Sequence, residues 1–182
     1  MNLKQCLLQK QSTILETWFD LMVESYATDS RGFFKDQKDR FANPVAYEFR
    51  QGMRGLYEAL IHGMERDEVL SCIDRIISIR AIQDPLPSRV IAFIFLLKTV
   101  IRTHLKTEIR EKLISEELRE FESQIDGLAL LCFDVYMKRR ERLHEIRVHE
   151  VKNRVSGLMR KAGLAAELEQ GPKPLNKDTS IV

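Results

Sequence analysis

The sequence has few of the residues that metal, redox and phosphate sites need. Its three cysteines form no CxxC pair, which excludes a disulfide framework and a CxxC-type zinc or thiol-redox site. Eight glycines and five prolines leave little room for a phosphate-binding loop or an all-β chain full of tight turns. Walker, nucleophile-elbow, HExxH and paired-carboxylate motifs are absent from the sequence. We therefore expect a protein that is not an enzyme and that uses no cofactor or metal.

Long hydrophobic runs are also missing. The longest one, Val90 to Leu97, has eight residues, whereas a membrane-spanning helix needs about 20. The N-terminus lacks the basic segment, the apolar stretch and the cleavage site of a secretory signal. Free cysteines suit a reducing compartment. These features predict a soluble, cytoplasmic protein without a transmembrane segment.

Apolar residues recur at helical spacing almost throughout, which predicts an all-α fold. We expect a compact body of about four helices at residues 1–114, a long C-terminal helix at 115–162 and a disordered tail at 163–182. Gly52 and Gly55 lie inside one helix, where glycine costs about 1 kcal/mol against alanine. The expected use of both glycines is the close approach of a neighbouring helix. The helices of the body are expected at residues 3–26, 44–62, 66–83 and 87–105, with a short helical turn at 108–113.

The long C-terminal helix combines apolar heptads with a basic stretch. Its heptad positions run from Leu118 to Val135, meet Arg139 and Arg142, and resume at Val148. Between residues 138 and 161 there are nine basic and three acidic side chains. One interpretation is that these charges only form a solvated helix face. The functional interpretation is that the second half of the C-terminal helix projects and docks on a partner or a second copy. Aromatic residues are not interleaved with the basic ones, so nucleic-acid binding is not expected. The candidate partner contacts are Arg139, Arg140, Arg142 and Arg147.

Arg80 is the most informative polar residue, because it continues the apolar stripe of Val69, Ile73 and Ile76. A guanidinium directed at a core needs partners, since an unpaired buried charge costs several kcal/mol. Two interpretations stay open: an internal ion-pair clip with Asp39, Asp84, Asp134 or helix carbonyls, and a pocket for an anion or small ligand. The candidate residues of this site are Arg40, Asn43, Arg80 and Gln83.

The histidines form no metal-binding pattern. His144 and His149 are five residues apart, so they cannot share one ligand face of a helix. His104 aligns with Phe93 and Leu97, which leaves a haem ligand as one interpretation and an ordinary helix-terminal histidine as the preferred one.

Three segments resemble a known bacterial family: ILETWFDLMVESY, FFKDQKDRFANPVAYEFRQGM and IISIRAIQDPLPSRVIAFIFLLKTVIR. The segments DRFANPV (Asp39 to Val45) and RAIQD-x-x-PS-x-x-x-x-FIFLLK (Arg80 to Lys98) are the specific ones. The segment CFDVYMKRRE (Cys132 to Glu141) is similar to the region that comes after this domain in related chains. The family is the RsbRD N-terminal domain of RsbT co-antagonist proteins.

This resemblance implies an all-helical sensory input module, related to globin-like domains that have lost haem. Such modules usually form homodimers and precede a phosphorylatable STAS domain in stress-signalling assemblies. We expect a stand-alone member here, because nothing after Ala162 has the pattern of a STAS domain. Stand-alone members also resemble small proteins encoded near respiratory sulfur-metabolism genes. The resemblance supplies no catalytic residues.

These observations leave two functional hypotheses. The preferred one is a sensory or regulatory module that relays an unknown signal through helix packing to a partner or to its dimer twin. The alternative is a structural adaptor that docks on a protein or membrane-associated complex through its basic C-terminal helix.

Overall fold

A computed structural model of the chain describes residues 2–25, 43–83, 86–111 and 114–161, without the side chains of 81–83 and 161. These residues form helices and no strand, so the predicted all-α class is confirmed. The seven helices of this described part are α1 (Leu3–Gln9), α2 (Gln11–Glu24), α3 (Pro44–His62), α4 (Arg66–Gln83), α5 (Pro87–His104), α6 (Lys106–Arg110) and α7 (Ser115–Lys161).

The chain divides into two compact units, Met1–Arg140 and Glu141–Val182. The hydrophobic core belongs to the first unit, where α2 packs on α5 and α3 packs on α4. The sequence predicts that α5 is central, because it is apolar on most sides. The structure agrees, since α5 buries Val90, Ile91, Phe93, Ile94, Leu97, Val100 and Ile101.

The first predicted helix is interrupted. The apolar spacing predicts one helix over residues 3–26, but the structure has a break at Lys10 between α1 and α2. The Lys10 Nζ donates to the carbonyl of His104 and to Glu108, both 2.7 Å away. The spacing of the apolar residues carried no information on this long-range contact.

Helix α3 begins and ends as predicted. The Asn43 side chain accepts a hydrogen bond from the Ala46 amide at 2.9 Å, and Pro44 occupies the first turn, where its missing amide costs nothing. Gly63 comes directly after the last residue of α3. Its φ is 74°, a left-handed value that glycine adopts without strain.

The close approach predicted for Gly52 and Gly55 is confirmed. A Cβ added to Gly52 would lie 2.7 Å from Ile76 Cγ1, and one added to Gly55 would lie 2.3 Å from Cys72 Sγ. Both contacts are with α4, so the two glycines let α3 and α4 pack closely.

In the first unit, α7 places its first heptads in the core. The inward positions are Leu118, Phe121, Ile125, Leu128, Ala129, Cys132 and Tyr136. Ion pairs connect the same stretch to its neighbours: Arg102 with Glu122, and Lys98 with Asp126. The helix continues to Lys161, and its residues from 141 onward belong to the second unit. The predicted tail at 163–182 lies outside the described residues. Among the helices of the described part, none is both long and apolar enough to cross a membrane.

Candidate functional site

Arg80 reaches the core, as its position on the α4 stripe predicts. The residue is 4 % exposed, and its Nη2 donates to the backbone carbonyl of Arg89 at 2.9 Å. The guanidinium also lies over the ring of Phe93, 5.5 Å from the centroid, a distance at which the ring quadrupole attracts a cation. These contacts tie the end of α4 to the first turns of α5.

The other members of this predicted site are only partly described. Asn43 is buried, and its side chain caps α3. Arg40 and the side chain of Gln83 lie outside the described residues, as do Asp39 and Asp84. Asp134 has an exposed side chain. The convergence of the four side chains therefore stays a prediction, while Arg80 and Asn43 have structural contacts of their own.

A second polar cluster joins α1 and α2 to the ends of α5 and α6. Lys10 Nζ contacts Glu108 Oε1 and the His104 carbonyl, and His104 Nε2 lies 3.0 Å from Thr17 Oγ1. Because the Thr17 hydroxyl donates to the Thr13 carbonyl at 2.8 Å, it is the acceptor for the imidazole. Sequence reasoning missed this cluster, since its contacts connect residues 87 to 98 positions apart that belong to no motif.

Glu108 is the buried acid of this cluster. Its hydrogen bond with Lys10 lowers the pKa of the carboxyl below its ordinary value, and burial opposes that shift. Burial raises the pKa of the neighbouring Cys6 thiol, and the negative charge of Glu108 adds to the effect. The cluster therefore acts as a clip, that is, a polar contact that holds the α1–α2 break against α6. Glu108 is ionised in this clip because of its hydrogen bond with Lys10.

A cavity of about 520 Å³ lies between α2 and α3. Its charged lining consists of Arg50, Arg54 and Glu16, and its apolar lining includes Leu15 and Phe19. The Arg50 guanidinium stacks on the Phe19 ring, 3.7 Å from the centroid. Burial lowers the pKa of Arg50, and nearby carboxylates oppose the shift. Nothing in the sequence marked this cavity, because each of these residues fits an ordinary amphipathic helix.

The four arginines predicted to meet a partner have different surroundings. Arg139 forms a two-pronged ion pair with Asp74 of α4, which fixes it inside the first unit. The Nη1 of Arg140 contacts the Tyr136 hydroxyl at 3.2 Å. Arg142 and Arg147 are exposed on the second unit. A partner contact by any of the four stays a prediction.

The second unit exposes apolar side chains on α7. Val148, Val151, Val155 and Leu158, here called the C-terminal stripe, succeed one another at steps of three, four and three residues. All four are exposed, Val151 and Leu158 by 59 % and 62 %. Ile146 is exposed as well, on the opposite side of the helix at 100° per residue.

Metal binding has no support in the described residues. In this part of the chain, no three His, Cys, Asp or Glu side chains are grouped closely enough to hold an ion. His104, the residue considered as a haem ligand, directs its Nε2 at Thr17.

Taken together, these features define an all-α domain with buried polar clips and one long helix that carries exposed apolar and basic residues. The chain belongs to the family described as the RsbT co-antagonist protein RsbRD N-terminal domain, whose model matches residues 12–151. This confirms the family resemblance found in the sequence. Membership indicates a regulatory or sensory role in stress signalling. No curated protein and no solved structure matches the chain significantly.

Proposed function

We propose that this protein is a non-enzymatic sensory module that passes a change in helix packing along α7 to a partner or to a second copy. The observation that carries the proposal is the dual character of α7. Ile125, Cys132 and Tyr136 of this helix are buried in the core of the first unit, and the same helix includes the exposed C-terminal stripe. A shift in core packing therefore acts on an element that also carries a surface for other molecules.

The signal is received in the first unit. A ligand shifts a packing equilibrium only if its affinity differs between the two packings. The cavity between α2 and α3 is large enough for a small molecule, and its lining carries two cations, Arg50 and Arg54, against one carboxylate, Glu16, which favours an anion. A globin-like arrangement and a homodimer belong to this proposal through the family.

Hydrogen exchange tests the relay. Ile125→Val and Ile125→Ala loosen the core beneath α7, at a cost of about 1 kcal/mol and 2–5 kcal/mol respectively. Amide exchange of residues 141–161, measured by mass spectrometry, should change with both variants. Leu130→Ala is the matched control, because Leu130 is on the same helix and 70 % exposed.

The relay would be refuted if Ile125→Val and Ile125→Ala speed exchange throughout the first unit and leave residues 141–161 unchanged. An equal response to Leu130→Ala would also contradict it, since a surface truncation does not alter core packing.

A structural adaptor is the second candidate, and the basic, exposed surface of residues 141–161 favours it. In this case the first unit receives no signal and serves only as a folded support for α7. The function is then the docking of α7 on an acidic protein or membrane-associated complex. Ile125→Val would then leave association unchanged, whereas the relay predicts that it alters the affinity.

A further inference from the structure

The flanks of the C-terminal stripe are basic, and they determine what can cover it. In heptad terms Val148 and Val155 occupy a positions, and Val151 and Leu158 occupy d positions. The positions beside this seam that contact a partner helix are e and g. Arg147 and Arg154 are at g and Lys152 is at e, whereas Glu145 is the acidic e residue one heptad before Lys152; all four are exposed. Within the part of the chain that the structure describes, these three cations form no ion pair.

A second copy of the chain would leave basic residues facing each other on this surface. In a parallel coiled coil, a g residue meets the e residue five positions further along the partner helix. Arg147 of one copy would meet Lys152 of the other. In an antiparallel pair g residues face g residues, so that Arg147 and Arg154 would meet arginines. Both arrangements place like charges together, which destabilises helix pairs, although the antiparallel one also lets Glu145 face Lys152.

We propose that the C-terminal stripe binds an acidic amphipathic helix of another protein in a two-stranded coiled coil. β-branched residues at a, with Val and Leu at d, are compatible with two strands. Glutamate or aspartate at the partner's e and g positions neutralises Arg147, Lys152 and Arg154. The inference deepens the proposed function, since it names the class of partner to which α7 relays the signal.

A synthetic heptad peptide with Ile and Leu at a and d and Glu at e and g is a suitable probe for this surface. Full-length protein should bind it with an affinity that falls as salt rises, measured by fluorescence anisotropy. The same peptide with Lys at e and g should not bind. Binding of both peptides, or of neither, would overturn the proposal.

Matched variants establish the register. Val151→Ser should weaken binding about tenfold, because it removes an apolar side chain from the seam. Ile146→Ser should not, since Ile146 is about 160° away around the helix. Likewise Arg154→Glu should weaken binding, whereas Arg160→Glu on the outer face, which changes the charge by the same amount, should have little effect. If the two variants of either pair lost the same affinity, the peptide would be attracted by charge alone and not by the seam. That result would contradict the proposal.

Two further outcomes would contradict the inference. Sedimentation that shows a dimer through this stripe, strengthened by salt and lost in Val151→Ser, would assign the surface to a second copy. Binding to vesicles of phosphatidylcholine and phosphatidylglycerol, without binding to the acidic peptide, would assign it to a membrane. The exchange experiment on Ile125 needs no partner, so failure of the docking test leaves the relay to be judged separately.

Discussion

At the scale of single residues, the buried charges act as clips between helices. Arg80 connects α4 to the start of α5 through the Arg89 carbonyl and the Phe93 ring. Lys10 connects the α1–α2 break to Glu108. The sequence predicted that Arg80 faces the core, because it continues an apolar stripe, but it left open whether this first contact is a clip or part of a ligand pocket. It could not predict the second one, because Lys10 and Glu108 look like surface residues until the helices are brought together.

Replacement of Arg80 should be costly. We expect Arg80→Met to lower the free energy of unfolding by about 2 kcal/mol, since it removes a charged hydrogen bond from a buried site. Urea unfolding measures the change. Arg89→Met is the control, because Arg89 contributes only its backbone carbonyl and has an exposed side chain. Equal stability of Arg80→Met and the unchanged protein would show that the clip is not structural.

The clip of Glu108 should make stability depend on pH. Its pKa is lower in the folded chain than the unfolded value of about 4.3, so ionised Glu108 stabilises the fold above that value. This contribution is lost as pH falls through the lowered pKa. Glu108→Gln should therefore lose about 1 kcal/mol at neutral pH and show a much smaller deficit at about pH 3. Urea midpoints at both pH values check this.

Glu120→Gln is the matched control for the pH experiment, because Glu120 is exposed on α7 and lies beyond its first turn. Its stability should match that of the unchanged protein at every pH. A deficit of Glu108→Gln that grows towards acid pH would contradict the assignment.

At the scale of elements, local patterns predicted the bounds of α3, α4 and α5 closely but missed the break at Lys10 and displaced the short helix α6, which is at Lys106–Arg110 and not at 108–113. They predicted contacts between helices only where a residue type enforced them. The caps at Asn43 and Gly63 are local, and so the sequence predicted the ends of α3. Gly52 and Gly55 indicated a close helix pair, although only the structure identified α4 as its second member. The cavity between α2 and α3 depends on how two ordinary helices diverge, which no local pattern records.

The contact between α3 and α4 can be tested with one substitution that disrupts it and a second one that restores the lost stability. Gly55→Ala should destabilise the protein by about 1–3 kcal/mol, because the new methyl group would overlap Cys72 Sγ. Cys72→Ala removes that sulfur atom, so the double variant should recover most of the loss. Thermal unfolding of the single and double variants measures the coupling free energy between positions 55 and 72.

A different glycine provides the control for that experiment. Gly157 has nothing within 4 Å of an added Cβ. Gly157→Ala should leave the first unit unchanged and favour the helix by about 0.5–1 kcal/mol. Additive effects of Gly55→Ala and Cys72→Ala would contradict the proposed overlap.

At the scale of the whole molecule, the division at Arg140 predicts independent folding of the first unit. A chain ending after Leu143 keeps the whole core and the Arg139–Asp74 ion pair. We expect its melting temperature to match that of the full chain, while salt-sensitive association is lost. Calorimetry and the acidic-peptide assay measure the two properties. A marked drop in melting temperature would mean that residues 144–182 help to hold the core.

The burial of the native thiols limits which stimuli this module can detect by itself. Burial raises the pKa of Cys132 to about 12, and it also raises the pKa of Cys6 and Cys72. Thiolates, not thiols, react with peroxides and electrophiles. The three sulfur atoms are therefore slow to be oxidised at neutral pH. An oxidant would therefore have to act on this protein by a route other than these cysteines.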